Sequence, residues 1–424
     1  MKKGAVLPMI IILAIGATLL GFSFLYIANV QRVTQSIKIK KTKVFWIAEA
    51  GIEHGKAFLQ KKLEETGLPW QGTEPFTPFP EQDFGGGKYK VIIDPYDDNP
   101  GKSVKKYKII SEATLENQKY TKQIDVILRI ESFAKFAYFT DNEYNPEIRR
   151  KIWFMSKDVI HGPLHSNSRI NICGSPTFEG KVTSTASSFN YYHGGPPRDN
   201  PKFLQGYELG VDRIDMNKYK NLTRIKNAAI SSGLYLRGNY TIILNPNGTL
   251  TYKKRRYSRT VRISDINGVV YVDGNVTVYG TLDGRLTIAA GSQYSIYIRS
   301  HIKYKTHPSN PNCDDMLGLV AGKSIVVSRY APPNLKIHAT LMAFDKSFYV
   351  ENWRYRRPSG KLTVWGGIIQ AYRGPVGTFY PSSGRIASGY YKDYHYDKRV
   401  LDNPPPYFPT TGRYELAEWK ERFK

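Results

Sequence analysis

The sequence predicts an α+β protein: a long N-terminal helix whose first half is of membrane length, a small antiparallel sheet, and then a large, mainly-β body. Three observations carry this. Residues 4–31 contain no charged side chain, and beyond residue 133 the chain breaks into short apolar runs separated by Gly, Asp and Asn. The composition, with 31 Tyr and 36 Gly against a charged fraction of 23%, favours a β-rich, turn-rich body over a helical one. A chain of 424 residues also exceeds what one core usually serves, so more than one domain is expected.

The apolar run AVLPMIIILAIGATLLGFSFLYIANV, residues 5–30, is long enough to cross a hydrocarbon core of about 30 Å as a helix. It is longer than the ~7–15-residue apolar region of a cleaved secretory signal, and no good small-x-small site follows it. The helix is expected to continue past the bilayer. No Pro or Gly interrupts residues 31–50, and AEAGIEHGKAFLQKKLEE places apolar and charged residues at three- and four-residue spacing. Lys61 and Lys62 suit a helix C-terminus, and Gly67-Leu68-Pro69 ends it. One element over residues 7–65 would be roughly 90 Å long.

Residues 69–87 read as a loop rich in Pro, Gly and aromatic side chains. Strands are predicted at 88–94, 105–115 and 119–130, the last two joined as a hairpin at Glu116-Asn117-Gln118, so that 69–132 forms a small antiparallel β domain. Residues 133–424 are expected to form the larger, mainly-β domain. Its clearest stretch, 268–298, repeats runs of four or five alternating residues between Asp273-Gly274, Gly280, Asp283-Gly284 and Gly291. A β-solenoid stacks such strands as rungs, whereas a sandwich joins them as hairpins through the Asp-Gly turns. Similar spacing at 317–327, 336–344 and 361–371 favours the solenoid.

The net charge of +25 attracts polyanions in general, DNA or an anionic cell-wall polymer among them. Its densest cluster is Lys253, Lys254, Arg255, Arg256, Arg259 and Arg262, read either as a solvated face or as a polyanion patch. On strands about half of these would share one face. Two cysteines, Cys173 and Cys313, provide no disulfide framework; they are either one pair or two buried thiols.

His161 and His165 have the spacing of helical metal ligands, but Gly162-Pro163 forbids a helix between them and no third ligand lies close in sequence. Packing or hydrogen bonding is expected of them. Asp273, Asp283, Asp314 and Asp315 lack the ordered spacing of a calcium loop and read as turn formers. Tyr390, Tyr391, Tyr394 and Tyr396 read as an aromatic belt, with a base- or sugar-stacking surface as the alternative. There is no phosphate-binding glycine loop, nucleophile elbow or zinc-protease motif. No enzymatic activity, metal or cofactor is therefore expected.

A short basic leader ending at Gly4, the apolar run from Ala5, and the motif Ala48-Glu49-Ala50-Gly51-Ile52-Glu53 together resemble the N-terminal module of PilX-type minor pilins. The resemblance implies cleavage by a prepilin peptidase after Gly4, Ala5 as the new N-terminus, a leader of residues 1–4 and a pilin-type helix over 5–66. It implies a filament subunit of a type IV pilus or of a type II secretion-like system, held in the inner membrane with its C-terminal body outside the cytoplasm and other pilin or pseudopilin subunits as partners. Position 9 is Met9 where most pilins carry Glu, a departure that resembles the tip pseudopilin of secretion systems. The segments 160–167 and 174–180 resemble an uncharacterised domain found behind pilin-type N-termini, and 389–397 with 404–409 recurs in similar proteins. A second reading is a single-pass surface module that binds an anionic polymer or polysaccharide.

Overall fold

The computed structural model describes residues 6–66, 69–96, 105–217, 221–380 and 385–422. Helix α1 runs unbroken from Val6 to Thr66 and changes character along its length. Among the described residues nothing packs on its first half: an 18-residue apolar window has mean hydropathy 2.4 and none of it buried. From Val44 onward one stripe turns inward, Val44, Ile47, Ala48, Gly51, Ile52, Gly55, Leu59 and Leu63, the three- and four-residue spacing of a single helical face.

That stripe lies on a five-stranded antiparallel sheet. Its strands β1 (Gln82–Phe84), β2 (Gly87–Pro95), β3 (Lys106–Leu115) and β4 (Tyr120–Ser132) follow the helix in order. Strand β3 alternates strictly, with Tyr107, Ile109, Ala113 and Leu115 buried among Val91, Ile93, Ile124 and Val126 beneath the helix. Glu116, Asn117 and Gln118 all take positive φ in the turn to β4, which is where the sequence places the hairpin. The fifth strand comes from the far end of the chain. Thr410–Arg422 pairs antiparallel with β4, so this segment lies on the small sheet, whereas the sequence reading grouped it with the larger domain.

Between these ends the chain builds two ten-stranded sheets, along with shorter ones. In the first sheet every neighbouring pair is parallel. Successive strands from residue 234 onward mostly alternate between the two large sheets. The Asp273-Gly274 turn, for example, carries the chain from Val269–Asp273 in one sheet to Val276–Leu282 in the other. The Asp-Gly turns are thus corners between sheets and not hairpin tips. Neither strand order closes on itself.

The first sheet is assembled from the middle. Tyr138–Asn142 is followed on one side by Leu164–Ser166, Val182–Ser184 and Tyr207–Leu209. The chain then passes through helix α2 (Asn221–Ser231) to the opposite end and lays down Leu234–Arg237 and its successors, until Ile368–Tyr372 pairs with the other edge of Tyr138–Asn142. Met316–Ala321 is buried at all six positions, as a parallel strand covered on both faces must be. One face meets the main core. The other is covered by Phe133, Ile225 of α2, Val400 and Phe408.

The join carries buried charge. Arg373 is 1% exposed, ion-paired to Glu143 at 3.4 Å, hydrogen-bonded to the Ile152 carbonyl at 2.8 Å and set 3.9 Å from the centroid of Phe154. Burial acts to lower its pKa, but Tyr138, Glu143 and Asp158 together outweigh it and the pKa is raised.

Candidate functional site

The N-terminal module is the most distinctive surface. Arg32, Lys38, Lys41 and Lys43 are exposed around the helix just beyond the apolar run, while Lys40 is half-buried against Glu116 at 2.9 Å. At about 100° per residue these cations fall on all sides of the helix, not along one stripe. An interfacial helix lying flat concentrates its cations on one face. A ring of cations suits a helix that leaves an apolar layer end-on.

The motif Ala48–Glu53 now has a packing explanation. A Cβ on Gly51 would stand 2.2 Å from Ser111 Oγ, and one on Gly55 would stand 2.9 Å from Ile109 Cγ2, so the two glycines set how closely helix and sheet approach. Ala48 and Ile52 are fully buried, and Ala50 is half-buried at the edge of the same cluster. Glu49 accepts a hydrogen bond from Trp419 Nε1 at 2.8 Å, which ties α1 to the C-terminal strand. Glu53 pairs with Lys56 at 2.6 Å on the outside. Gly4 and Ala5 lie outside the described residues.

The basic cluster forms one hairpin, Thr249–Lys254 with Tyr257–Arg262, at the edge of the second large sheet. Its register divides the cations. Lys253 and Arg262 share a face with Thr249, Thr251 and Thr260; Lys254 and Arg259 share the opposite face with Tyr252 and Tyr257; Arg255 and Arg256 form the turn, with Arg255 at φ 53°. All six are exposed, and among the described residues none pairs with a carboxylate. Lys254 is held by the Arg237 carbonyl at 2.8 Å and lies over the Tyr240 ring. Arg262 also borders a groove of about 690 Å³ whose other charged residues are Arg285, Asp283, Asp314 and Asp402.

The two histidines of 160–167 do not meet at a common ligand. His165 is buried, with Nδ1 bonded to Thr183 at 2.8 Å and Nε2 to Asn167 at 2.9 Å, and burial pushes its pKa down. His161 pairs with Glu179 at 2.8 Å and stacks on His395, which stacks in turn on Trp365. Asp315 ties two loops by accepting from Gly284 N at 2.6 Å and Thr306 N at 3.0 Å. Tyr390 is fully buried under Arg356 and Tyr391 is exposed, while Tyr394 and Tyr396 are largely covered.

One cluster was not visible in the sequence. Cys173, His193 and Asp199 place a thiol, an imidazole nitrogen and a carboxylate oxygen within 4.8 Å of one another. Cys173 and Cys313 are both free, buried thiols. The three residues lie 20 and 6 positions apart and match no ligand spacing; the only cue was His-Gly-Gly-Pro-Pro-Arg-Asp, a turn-rich loop with a potential ligand at each end.

Residues 105–187 match a domain of unknown function, DUF4900, a segment that includes β3, β4 and Cys173 but stops short of His193. No curated protein matches the chain. Among solved structures, the chain is similar to the competence-associated pilin ComZ from Thermus thermophilus at 11% identity, over 91% of this chain and 98% of that one, with a TM-score of 0.34.

Proposed function

We propose that this chain is a pilin-like structural subunit that is held in the inner membrane by α1 and enters a filament by packing that helix among the helices of other pilin or pseudopilin subunits. The observation that carries the reading is the continuity of one helix across two environments. Val6–Thr66 is a single element, bare on every side where it is apolar and packed on one face only where it meets the small sheet. Such a helix can exchange lipid for neighbouring helices without changing the fold behind it, because the head makes no use of the bare half. The PilX-type assignment, a place near the filament tip inferred from Met9, and a solenoid built from the two parallel stacks belong to the same proposal. No catalytic role is assigned.

In this reading the body lies outside the cytoplasm. The flanking charge runs against the usual bias, with Lys2 and Lys3 before the apolar run and five cations between Arg32 and Lys43 after it. Export in this orientation therefore calls for a dedicated machine that recognises the leader. Co-expression with a prepilin peptidase tests this: the mature chain should be shorter by residues 1–4, and Gly4→Leu should block the change. A wild-type chain that stays full length in the presence of an active peptidase overturns the pilin reading.

A second reading, a membrane-anchored module that holds DNA or an anionic cell-wall polymer, is favoured by the six exposed cations on the 249–262 hairpin, none of which pairs with a carboxylate among the described residues. Phosphate neutralisation without base contacts gives affinities of only about 10⁻⁴ to 10⁻⁶ M, falling steeply with salt. The full chain and its Lys253→Glu/Arg256→Glu/Arg262→Glu variant are compared for DNA binding across a salt series. Equal binding removes the hairpin as the contact.

A further inference from the structure

We propose that Cys173, His193 and Asp199 form a three-ligand site for a divalent cation of the zinc class, with a fourth position open to water. Strand Asn171–Cys173 lies between Phe154–Met155 and Asn190–Tyr191 in a three-stranded parallel sheet. Ile172 is opposite Tyr191, so Cys173 and His193 leave the sheet at the same end of adjacent strands. The chain then turns through Gly194 and Gly195, at φ 90° and 110°, and the two prolines, and comes back to bring Asp199 beneath His193. Gly174, at φ 77°, completes the corner; a Cβ there would meet Ser156 Oγ at 2.0 Å.

The carboxylate of Asp199 is completely buried, and three of its four hydrogen-bond contacts are to backbone N–H groups. Oδ2 accepts from the backbone of His193 at 2.6 Å and of Gly195 at 3.4 Å. Oδ1 accepts from Gly174 N at 2.7 Å and faces His193 Nδ1 at 2.9 Å. Only this last contact is made by a side chain. A cation that replaces the proton between Nδ1 and Oδ1 keeps every backbone bond of the loop.

The dimensions fit with a small expansion. Zinc bonds of about 2.0–2.2 Å to nitrogen and oxygen at a tetrahedral angle put the two atoms roughly 3.3–3.5 Å apart, and a Zn–S bond of about 2.3 Å needs the thiolate about 3.6 Å from each. The donors already stand within 4.8 Å of one another, close to these separations. A sulfur, nitrogen and oxygen donor set selects zinc and its first-row neighbours over magnesium and calcium, which prefer oxygen throughout. His193 is 41% exposed at its side chain, which admits the cation and leaves room for water. A carboxylate that merely capped the loop would need neither a thiol nor an imidazole at that corner. Binding would staple residues 193–199 to the strand end and stabilise the β body in proportion to the logarithm of metal concentration.

The test uses the full chain in detergent, stripped with chelator and titrated with Co²⁺ and then Zn²⁺. One equivalent of Co²⁺ should produce a near-ultraviolet thiolate-to-metal band with visible tetrahedral bands, and Zn²⁺ should erase both. Cys173→Ser should abolish the near-ultraviolet band, His193→Ala should weaken binding by about 100-fold or more, and Cys313→Ser should change nothing. His193 is exposed, so its variant keeps the loop's backbone bonds and remains informative even if Asp199 variants misfold. Absence of the band in the wild-type chain, or a band that survives Cys173→Ser, overturns the site.

Discussion

The two halves of α1 are one helix governed by two different solvents. In its first half nothing is buried and the apolar side chains face every direction; in its second half the buried positions form one stripe, and two of them, Gly51 and Gly55, bring the helix close to the sheet. The contrast shows what each half is for. A stripe meets a partner already present in the same chain, whereas an apolar surface on all sides calls for an environment that surrounds it, lipid or a bundle of like helices. The basic ring from Arg32 to Lys43 marks the boundary between the two.

Paired aspartates should separate the halves most sharply. Ile52→Asp places an unpaired carboxylate in the fully buried face and should cost at least about 4 kcal/mol, enough to unfold the small sheet; loss of the thermal transition and of antiparallel-sheet signal would show it. Ile12→Asp, on the bare half, should leave that transition unmoved and instead weaken membrane insertion by about 3 kcal/mol, read as the fraction recovered with membranes. If Ile12→Asp melts the head, or Ile52→Asp does not, the division of the helix is wrong.

A probe in the β body tests whether the helix halves are energetically separate from it. His338 is buried, and that burial, together with His307, Lys336, Lys303 and Arg399, lowers its pKa from 6.5 to about 4. A histidine held neutral in this way contributes its full stability above pH 6.5, and the contribution is lost as pH falls through 6.5 towards 4, by up to about 3 kcal/mol. His338→Gln should flatten the melting temperature of the body across that interval and leave membrane insertion untouched. The smallest effect is expected at the clasp between helix and C-terminal strand. Trp419→Phe removes the hydrogen bond to Glu49 and should cost about 1 kcal/mol, seen as faster amide exchange along Thr410–Arg422 with no change elsewhere.

How much could be read in advance follows the range of the interactions. The helix, its end, the three strands of the small sheet and their turn at Glu116-Asn117-Gln118 depend on neighbours a few residues away, and the structure has them where periodicity and turn chemistry put them. The AEAGIE motif was recognisable as a pattern, but the reason for its glycines appears only once Ser111 and Ile109 lie across from them. The basic hairpin was seen as a cluster, while the division of its cations between two faces came from strand register. Cys173, His193 and Asp199 escaped notice because parallel stacking brings together strand ends about twenty residues apart, a separation with no local signature.

By itself the sequence determined where the long helix and three strands of the small sheet lie, that one helix has membrane length, and that the body is rich in short strands, because backbone preference and alternation of apolar side chains are written locally; helix α2 and the short strand β1 carried no such signal. Only the tertiary structure decided that Thr410–Arg422 returns to β4, that the two halves of the first large sheet are joined where Ile368–Tyr372 pairs with Tyr138–Asn142, and that Arg373 finds Glu143 there. Those contacts join residues more than two hundred positions apart. Their partners are chosen by which sheet edges remain unpaired and which buried charges need compensation after the local elements have formed, and neither quantity exists until the chain is folded.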